Sequence, residues 1–210
     1  TFHQLKAVID RNPNGLPAEE AERWFRGIAA GVGCLHDHGI VHRDLKPANI
    51  FDDHGFVKVG DYGLSKFIST SRRSGQTESV GTVHYMAPEI GRGVYGKEID
   101  IYALGIMLYE LLTGRVPFDG ESSQEIIMKH LTDNPDLSPV PQPYRDVIQR
   151  ALRNDPLKRF RSVQEMLDAL QIVWQPPAAG IHVKPAAAVE KAVPEIVFGP
   201  VRHHEVVQAE

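Results

Sequence analysis

The sequence predicts a mainly α-helical fold with one short β-hairpin, and two patterns in the 210-residue chain carry this prediction. Apolar residues recur at helical spacing, most clearly at Trp24, Phe25, Ile28, Val32 and Leu35, and such a stripe is typical of an amphipathic helix. Two short apolar pieces, "IVHRDLKPANIF" and "GFVKVGDYGL", flank the turn sequence "DDHG". This arrangement predicts a small hairpin.

End signals delimit the first helices, and a long apolar run marks a later one. Residues 1–10 predict a short amphipathic helix that ends at the turn sequence "DRNPNG". Pro17 suits the first position of the next helix, and Gly39 closes it. The run from Ile99 to Leu112 contains Glu110 and is too short for a span of about 20 residues. We therefore expect it to be a buried core helix.

Two capping boxes mark further helix starts in the second half of the chain. Ser122 is followed by Glu125, and Ser162 by Glu165, the spacing at which cap and carboxylate satisfy the first N–H groups. The stretch between them is predicted to be a helix with one apolar face, formed by Val147, Ile148, Ala151 and Leu152.

Composition excludes several classes of protein. The net charge of −4 gives no basic field, so we expect no nucleic-acid partner. We also expect no membrane segment in this chain, because its most apolar run is too short to span a bilayer. The single cysteine, Cys34, excludes an internal disulfide and fits a reducing compartment. No signal peptide opens the chain, and we expect a cytoplasmic protein, although a parent protein anchored beyond the tail stays open. We expect His36 to His38, "HDH", to be solvated, and Thr1 not to be the native start.

The chain divides into a folded part and a tail. We expect one folded unit over residues 1–172, and residues 173–210 to be a linker or disordered tail, because the composition shifts there to Pro, Ala and Val. Residues 65–82 are rich in Ser, Thr, Gly and Arg without periodicity. They predict a long loop, and loops of that length tend to be functional or disordered.

Three short motifs carry the chemistry: "HRDLKPAN" at residues 42–49, "DYG" at 61–63 and "APE" at 87–89. In this order and separation they match three parts of the protein-kinase signature. The chain therefore resembles the C-terminal lobe of a eukaryotic-type (Hanks-type) serine/threonine protein kinase over residues 1–172. The resemblance implies a protein-kinase-like fold, ATP and Mg²⁺ as cofactors, and phosphorylation of Ser and Thr hydroxyls on protein substrates.

The resemblance also assigns roles to four residues of the motifs. Asp44 is expected to accept or orient the proton of the substrate hydroxyl, and Lys46 to place a positive charge by the transferred phosphate. Asn49 and Asp61 are expected to be the oxygen donors for Mg²⁺, which prefers such ligands. Phosphoryl transfer has a loose transition state, so positioning and charge are what the protein must provide.

Further positions match structural parts of the family's pattern. Lys46 and Thr82 follow the serine/threonine pattern rather than the tyrosine one, with Thr82 contacting the catalytic pair. Glu89 is expected to pair with Arg159, and Asp100 to anchor the catalytic loop through its backbone. The segment from Asp61 to Glu89 matches an activation segment, which suits a protein substrate.

The stretch "GRGVYG", residues 91–96, spells G-x-G-x-x-G, the spacing of phosphate-binding glycine loops. It follows "APE" and precedes the long buried helix, without a strand pattern before it. We therefore expect its glycines to serve turns at a helix end instead of binding a nucleotide.

The sequence departs from the family at several points. The glycine-rich loop, the strand lysine and its partner glutamate have no counterpart, so the chain alone is expected to be inactive. Tyr62 stands before Gly63 where the family has phenylalanine, and it is expected to pack against His42. Glu78 occupies the usual phosphothreonine position, where it is hypothesised to supply a fixed charge to Arg43. The equally weighted alternative is a solvated loop glutamate. Candidate phosphosites are Thr77, Ser79 and Thr70.

Two other functions stay open at this point. A truncated or pseudokinase-like binding module would explain the missing N-terminal lobe, but the retained Asp44, Lys46, Asn49 and Asp61 argue against it. A small-molecule phosphotransferase with a related fold is disfavoured by the long activation segment and by "APE".

Overall fold

The computed structural model of the chain describes residues 2–61, 80–93 and 96–171. Within these ranges, helices α1 to α7 span Leu5–Asp10, Ala18–Asp37, Val80–Val83, Glu98–Thr113, Ser123–Thr132, Tyr144–Ala151 and Val163–Ala169. Strands β1 to β3 span Phe2–Gln4, Ile50–Asp53 and Phe56–Val59. Short 3₁₀ turns lie at Pro47–Asn49, Pro88–Arg92 and Pro156–Lys158. The prediction of a mainly α-helical fold is confirmed.

The predicted hairpin is present, but it belongs to a three-stranded antiparallel sheet in the order β1-β2-β3. The first strand corrects the prediction that residues 1–10 form a helix throughout, since the helix begins only at Leu5. Gln4 pairs with Phe51 in β2, and its side-chain amide donates to the carbonyl of Ala48 at 2.7 Å. Three residues are too few to show an alternating pattern, and their partner strand is distant in sequence.

Helix α4 is the centre of the fold. All of its residues except Glu98 and Leu112 are buried, as expected for a helix surrounded by protein. Helices α2 and α6 pack against it. Gly105 allows α6 to approach, because a Cβ at that position would lie 2.7 Å from the Cβ of Ala151. The buried core helix predicted between Ile99 and Leu112 is confirmed.

Two glycines of α2 determine where the sheet lies. A Cβ at Gly27 would be 2.4 Å from the Cβ of Val57, and one at Gly31 would be 2.6 Å from a Val59 methyl group. Distances this short leave no room for a side chain, so β3 packs directly on the backbone of α2. The sheet is thereby fixed on the helix that leads into the "HRDLKPAN" loop.

Both predicted capping boxes form. Ser122 Oγ accepts from the backbone N–H of Glu125 at 3.2 Å, and Ser162 Oγ accepts from that of Glu165 at 3.1 Å. The Glu125 carboxylate in return accepts from the N–H of Glu121, one residue before the cap, at 2.9 Å. The helix starts predicted from the sequence are confirmed. The Glu125 carboxylate binds the N–H of Glu121, the residue before the cap, instead of that of the cap itself.

The glycines of "GRGVYG" serve a turn where the structure describes them. Gly93 has φ +72°, and its N–H donates to the carbonyl of Ile90 at 3.0 Å, which ends the 3₁₀ turn Pro88–Arg92. Glycine takes this left-handed conformation without steric cost. Residues 94 and 95 lie outside the described ranges.

Among the helices of the described ranges, we find none with the length and hydropathy needed to cross a bilayer.

Adding one methyl group to α2 tests the contact with the sheet. Gly27→Ala should lower the free energy of unfolding by about 1–3 kcal/mol, because the new Cβ overlaps Val57. Gly33→Ala, the matched control on the same helix, has its nearest described neighbour at 4.0 Å. It should raise the free energy of unfolding by about 0.5–1 kcal/mol through helix propensity. Urea unfolding followed by circular dichroism measures both, and equal effects would contradict the close contact.

Candidate active site

The loop between α2 and β2 carries most of the predicted site residues. It runs from Gly39, whose φ of +72° ends α2, to the 3₁₀ turn that Pro47 opens. Leu45 and Ile50 are buried in the core on either side of this turn. The end of the loop that leads into β2 is therefore held by packing on both sides of the turn.

A buried carboxylate of the core helix fixes the start of this loop. Asp100 accepts from the backbone N–H of His42 at 2.8 Å and from that of Arg43 at 3.0 Å. Arg43 has φ +71°, a left-handed conformation that is unfavourable for a residue with a side chain. The two hydrogen bonds stabilise that conformation, and they set the direction of the chain at the residue before Asp44.

His36 is a part of the site that the sequence prediction missed. Its Nε2 lies 2.8 Å from a carboxylate oxygen of Asp100, and its side chain is only 6% exposed. The expectation that the "HDH" histidines are solvated is wrong for this residue. Helical spacing places His36 four residues after the buried Val32 and therefore on the same face of α2. That spacing was the sequence signal that His36 is buried.

Four polar side chains meet at the centre of the loop. Lys46 Nζ lies 3.0 and 2.8 Å from the two carboxylate oxygens of Asp44, and it donates to Thr82 Oγ1 at 3.0 Å. Asn49 Nδ2 donates to the backbone carbonyl of Asp44 at 2.8 Å and to its carboxylate at 3.2 Å. The structure thus brings Thr82, distant in sequence, to the pair formed by Asp44 and Lys46.

His42 connects the loop to the end of β3. Its Nδ1 accepts from the N–H of Asp44 at 3.3 Å, so the ring proton lies on Nε2, which donates to the carbonyl of Gly60 at 2.9 Å. The N–H of Gly60 donates in turn to the carbonyl of Asn49 at 2.8 Å. These bonds bring Asp61, the next residue, to the side of the loop, with φ +55° and an exposed side chain.

The donor set suits a magnesium ion held mainly through its nucleotide. Asn49 directs its amide nitrogen at Asp44, so its side-chain oxygen points away from that carboxylate. The residue before Asp61, Gly60, binds the backbone carbonyl of Asn49. Across the described ranges, no group of three or more His, Cys, Asp or Glu is arranged to hold a metal ion. Mg²⁺ typically takes one or two protein oxygens and completes its shell with phosphate and water. Asn49 and Asp61 fit that pattern.

Below the site, Glu89 and Arg159 form a buried bidentate ion pair. The two guanidinium nitrogens donate to the two carboxylate oxygens at 2.6 and 2.9 Å. The Arg159 side chain is fully buried, and it also donates to the carbonyls of Arg153 and Glu98 at 2.6 and 3.1 Å. The guanidinium lies over the ring of Tyr102, 4.8 Å from its centre. The pair predicted from the sequence is formed, and its polar groups are satisfied.

Residues 2–174 match the protein kinase domain family. The chain belongs to that family. It is 41% identical to serine/threonine-protein kinase PrkC of Bacillus subtilis over 169 residues, 77% of this chain and 26% of PrkC. It is 39% identical to a probable serine/threonine-protein kinase, PknB, of Lactococcus lactis, over 78% of this chain and 27% of that protein. A probable serine/threonine-protein kinase of Clostridium perfringens is 34% identical over 87% of this chain and 27% of its own length.

The chain therefore spans about a quarter of the length of these curated relatives. Several predicted kinase residues lie outside the described residues: Tyr62, Gly63, Thr70, Thr77, Glu78 and Ser79. The packing of Tyr62 on His42, the role of Glu78 and the phosphosites stay predictions.

A second buried carboxylate of the kinase domain's core helix was not predicted as part of the site. Glu110 accepts from the hydroxyl of Tyr85 at 2.7 Å, and burial raises the pKa of its carboxyl group. This contact ties the segment after Thr82 to α4. The signal was a glutamate inside the predicted buried run from Ile99 to Leu112, because buried carboxylates normally have a partner.

Removing one partner of the buried pair should be strongly destabilising. Arg159→Met leaves the Glu89 carboxylate buried without its cation, and the free energy of unfolding should fall by about 3–5 kcal/mol. The control is Lys6→Met, which removes a pair with Asp10 whose side chains are 46% and 57% exposed, and it should cost less than about 1 kcal/mol. Chemical unfolding measures both. A similar small loss in the two variants would mean that the buried pair does not hold the fold together.

Proposed function

We propose that this chain supplies the C-terminal lobe of a protein kinase domain that transfers the terminal phosphoryl group of ATP to serine and threonine hydroxyls of protein substrates. One observation carries the proposal: Lys46 lies between the Asp44 carboxylate and the Thr82 hydroxyl, within 3.0 Å of both. Phosphoryl transfer needs a group that orients the attacking hydroxyl and a positive charge near the transferred phosphoryl group. The Asp44 carboxylate and the Lys46 ammonium group would supply these.

The proposed mechanism assigns each of these side chains a step. Asp44 accepts a hydrogen bond from the substrate hydroxyl, orients it and takes its proton as the hydroxyl oxygen bonds to the terminal phosphorus and the bond from that phosphorus to ADP, the leaving group, breaks. Lys46 places its charge beside the oxygens of the transferred group, over which negative charge is spread in the transition state. Asn49 holds the Asp44 carboxylate through its amide and, with Asp61, offers oxygen ligands to the metal. Magnesium, when bound with ATP, would neutralise part of the negative charge of the phosphates.

The expected substrate class and partners follow from several features together. Lys46 and Thr82 match the serine/threonine pattern, and the relatives named above are serine/threonine kinases or probable ones. The net charge of −4 favours protein partners over nucleic acid, and the single cysteine fits a cytoplasmic site. We further propose that Arg43 receives a negative charge from Glu78 or from a phosphorylated Thr77, Ser79 or Thr70.

Replacing the proposed base tests the activity. In the native protein that contains this chain, Asp44→Asn should lower the rate of ³²P transfer from ATP to a generic substrate such as casein by about 10²–10⁴-fold. Asp146→Asn, an exposed carboxylate of α6, is the matched control and should keep the rate. An unchanged rate in Asp44→Asn would reject the assignment. Absence of transfer in the native protein itself would favour the binding-module alternative.

The second test concerns the chain by itself. The sequence has no counterpart of the glycine-rich loop or the strand lysine that cover the phosphates in protein kinases. We therefore expect purified residues 1–210 to transfer no phosphate above the level of the Asp44→Asn variant of the same chain. Measurable transfer that disappears in this variant would show that the chain is sufficient, and would reject the assignment to a C-terminal lobe alone.

A further inference from the structure

His130 is a buried histidine at which three parts of the chain meet. It lies on α5 and is only 2% exposed. Its Nδ1 is 2.6 Å from the hydroxyl of Tyr102 on α4, and its ring centre is 4.7 Å from that of Phe118. The backbone of Val83 and of His84 also lies beside the imidazole and acts on its pKa.

Burial sets the protonation state of this ring. Burial also raises the pKa of the Tyr102 hydroxyl, so the hydroxyl keeps its proton and shares a hydrogen bond with Nδ1. A neutral imidazole can complete this bond in either tautomer, as acceptor or as donor. Burial, and then the charge of His84, lower the pKa of His130 to about 4. The ring is therefore neutral near pH 7.

The segment beside His130 leads directly to the site. Val83 and His84 follow Thr82, which accepts from Lys46. Helix α5 packs against α3, the helix that ends at Val83. A second contact joins this segment to the loop before α5, where His84 Nε2 lies 3.1 Å from the Asp119 carboxylate. The imidazole thus lies between the core helix α4 and the segment that holds the Thr82 hydroxyl.

We propose that His130 is a positioning residue whose neutral ring holds α5 and the segment from Thr82 to Tyr85 against α4. It thereby keeps the Thr82 hydroxyl where Lys46 donates to it. The mechanical part of this inference, that the ring holds these segments together, rests on the contacts alone. Its consequence for catalysis rests on the proposed kinase function.

Amide hydrogen exchange of the chain tests the mechanical part. Tyr102→Phe removes the hydroxyl that binds Nδ1, and exchange of the backbone amides of residues 82–86 should become about fivefold faster, the factor that one hydrogen bond gives. Tyr109→Phe is the matched control on the same helix, because its hydroxyl donates to the carbonyl of Asp136 instead, at 3.0 Å. It should leave residues 82–86 unchanged. No change in Tyr102→Phe, or an equal change in both variants, would overturn the proposal.

Replacement of the ring itself separates the hydrogen bond from the packing. His130→Asn keeps an acceptor near the position of Nδ1, and the exchange rate of residues 82–86 should stay within about twofold of wild type. His130→Phe fills the space without an acceptor and should match Tyr102→Phe. Faster exchange in His130→Asn than in His130→Phe would assign the effect to packing alone and overturn the proposal.

The pH dependence of stability gives a second readout. The groups that face the ring are the Tyr102 hydroxyl from α4 and His84, with its partner Asp119, from the neighbouring segments. The pKa of His130 is about 4 in the fold against 6.5 ordinarily, so between these values the unfolded chain binds the extra proton. Stability should therefore fall as pH decreases from 6.5 to 4. The urea midpoint of His130→Asn should fall less over this range, and an equal fall would contradict a neutral ring.

The kinetic consequence is measured separately in the native protein that contains this chain. Tyr102→Phe should lower kcat for casein phosphorylation by about fivefold and leave the KM for ATP unchanged, because the change lies away from the nucleotide ligands. Tyr109→Phe should keep both values. Unchanged kcat despite faster exchange would overturn the positioning role. Absence of transfer in the wild type would instead reject the proposed kinase function, and the exchange result would still decide the mechanical part.

Discussion

The site depends first on the carboxylate of Asp100. It lies in the core, yet its charge is stabilised by the N–H groups of His42 and Arg43 and by the ring of His36. A buried carboxylate is tolerated when such donors satisfy it. In return it holds Arg43 in a conformation that costs free energy for a residue with a side chain. The turn thereby sets the direction in which the chain enters Asp44.

The same helix holds the other parts of the site through its remaining polar side chains. Along the mostly apolar α4, Asp100 holds the loop that begins at His42, Tyr102 binds His130 of α5, and Glu110 accepts from Tyr85. Because α4 is surrounded by protein, these groups cannot turn toward solvent. The core helix therefore acts as a common support, and segments that are distant in sequence keep a fixed geometry relative to one another.

The sequence predicts the parts of this arrangement that depend on local patterns. Helical spacing gives the buried run from Ile99, and cap chemistry gives the helix starts at Ser122 and Ser162. The resemblance to protein kinases gives the pairing of Glu89 with Arg159. Contacts between distant residues carry no local pattern. Strand β1 has only three residues, and the "HDH" stretch gives no sign that His36 meets Asp100. Such partners can be identified only from the folded structure.

The buried polar groups of the site divide into two kinds with different consequences. Glu89 and Arg159 satisfy one another and the backbone around them, so their geometry changes only if the pair is broken. His36 and His130 are different, because in the described part of the chain one ring nitrogen of each, Nδ1 and Nε2 respectively, is buried without a hydrogen bond. A buried polar group with only some of its hydrogen bonds formed loses less free energy when it moves than a group whose hydrogen bonds are all formed. The lower part of the site is thus rigid at the ion pair, and the junction at α5 is where the segment carrying Thr82 can loosen first.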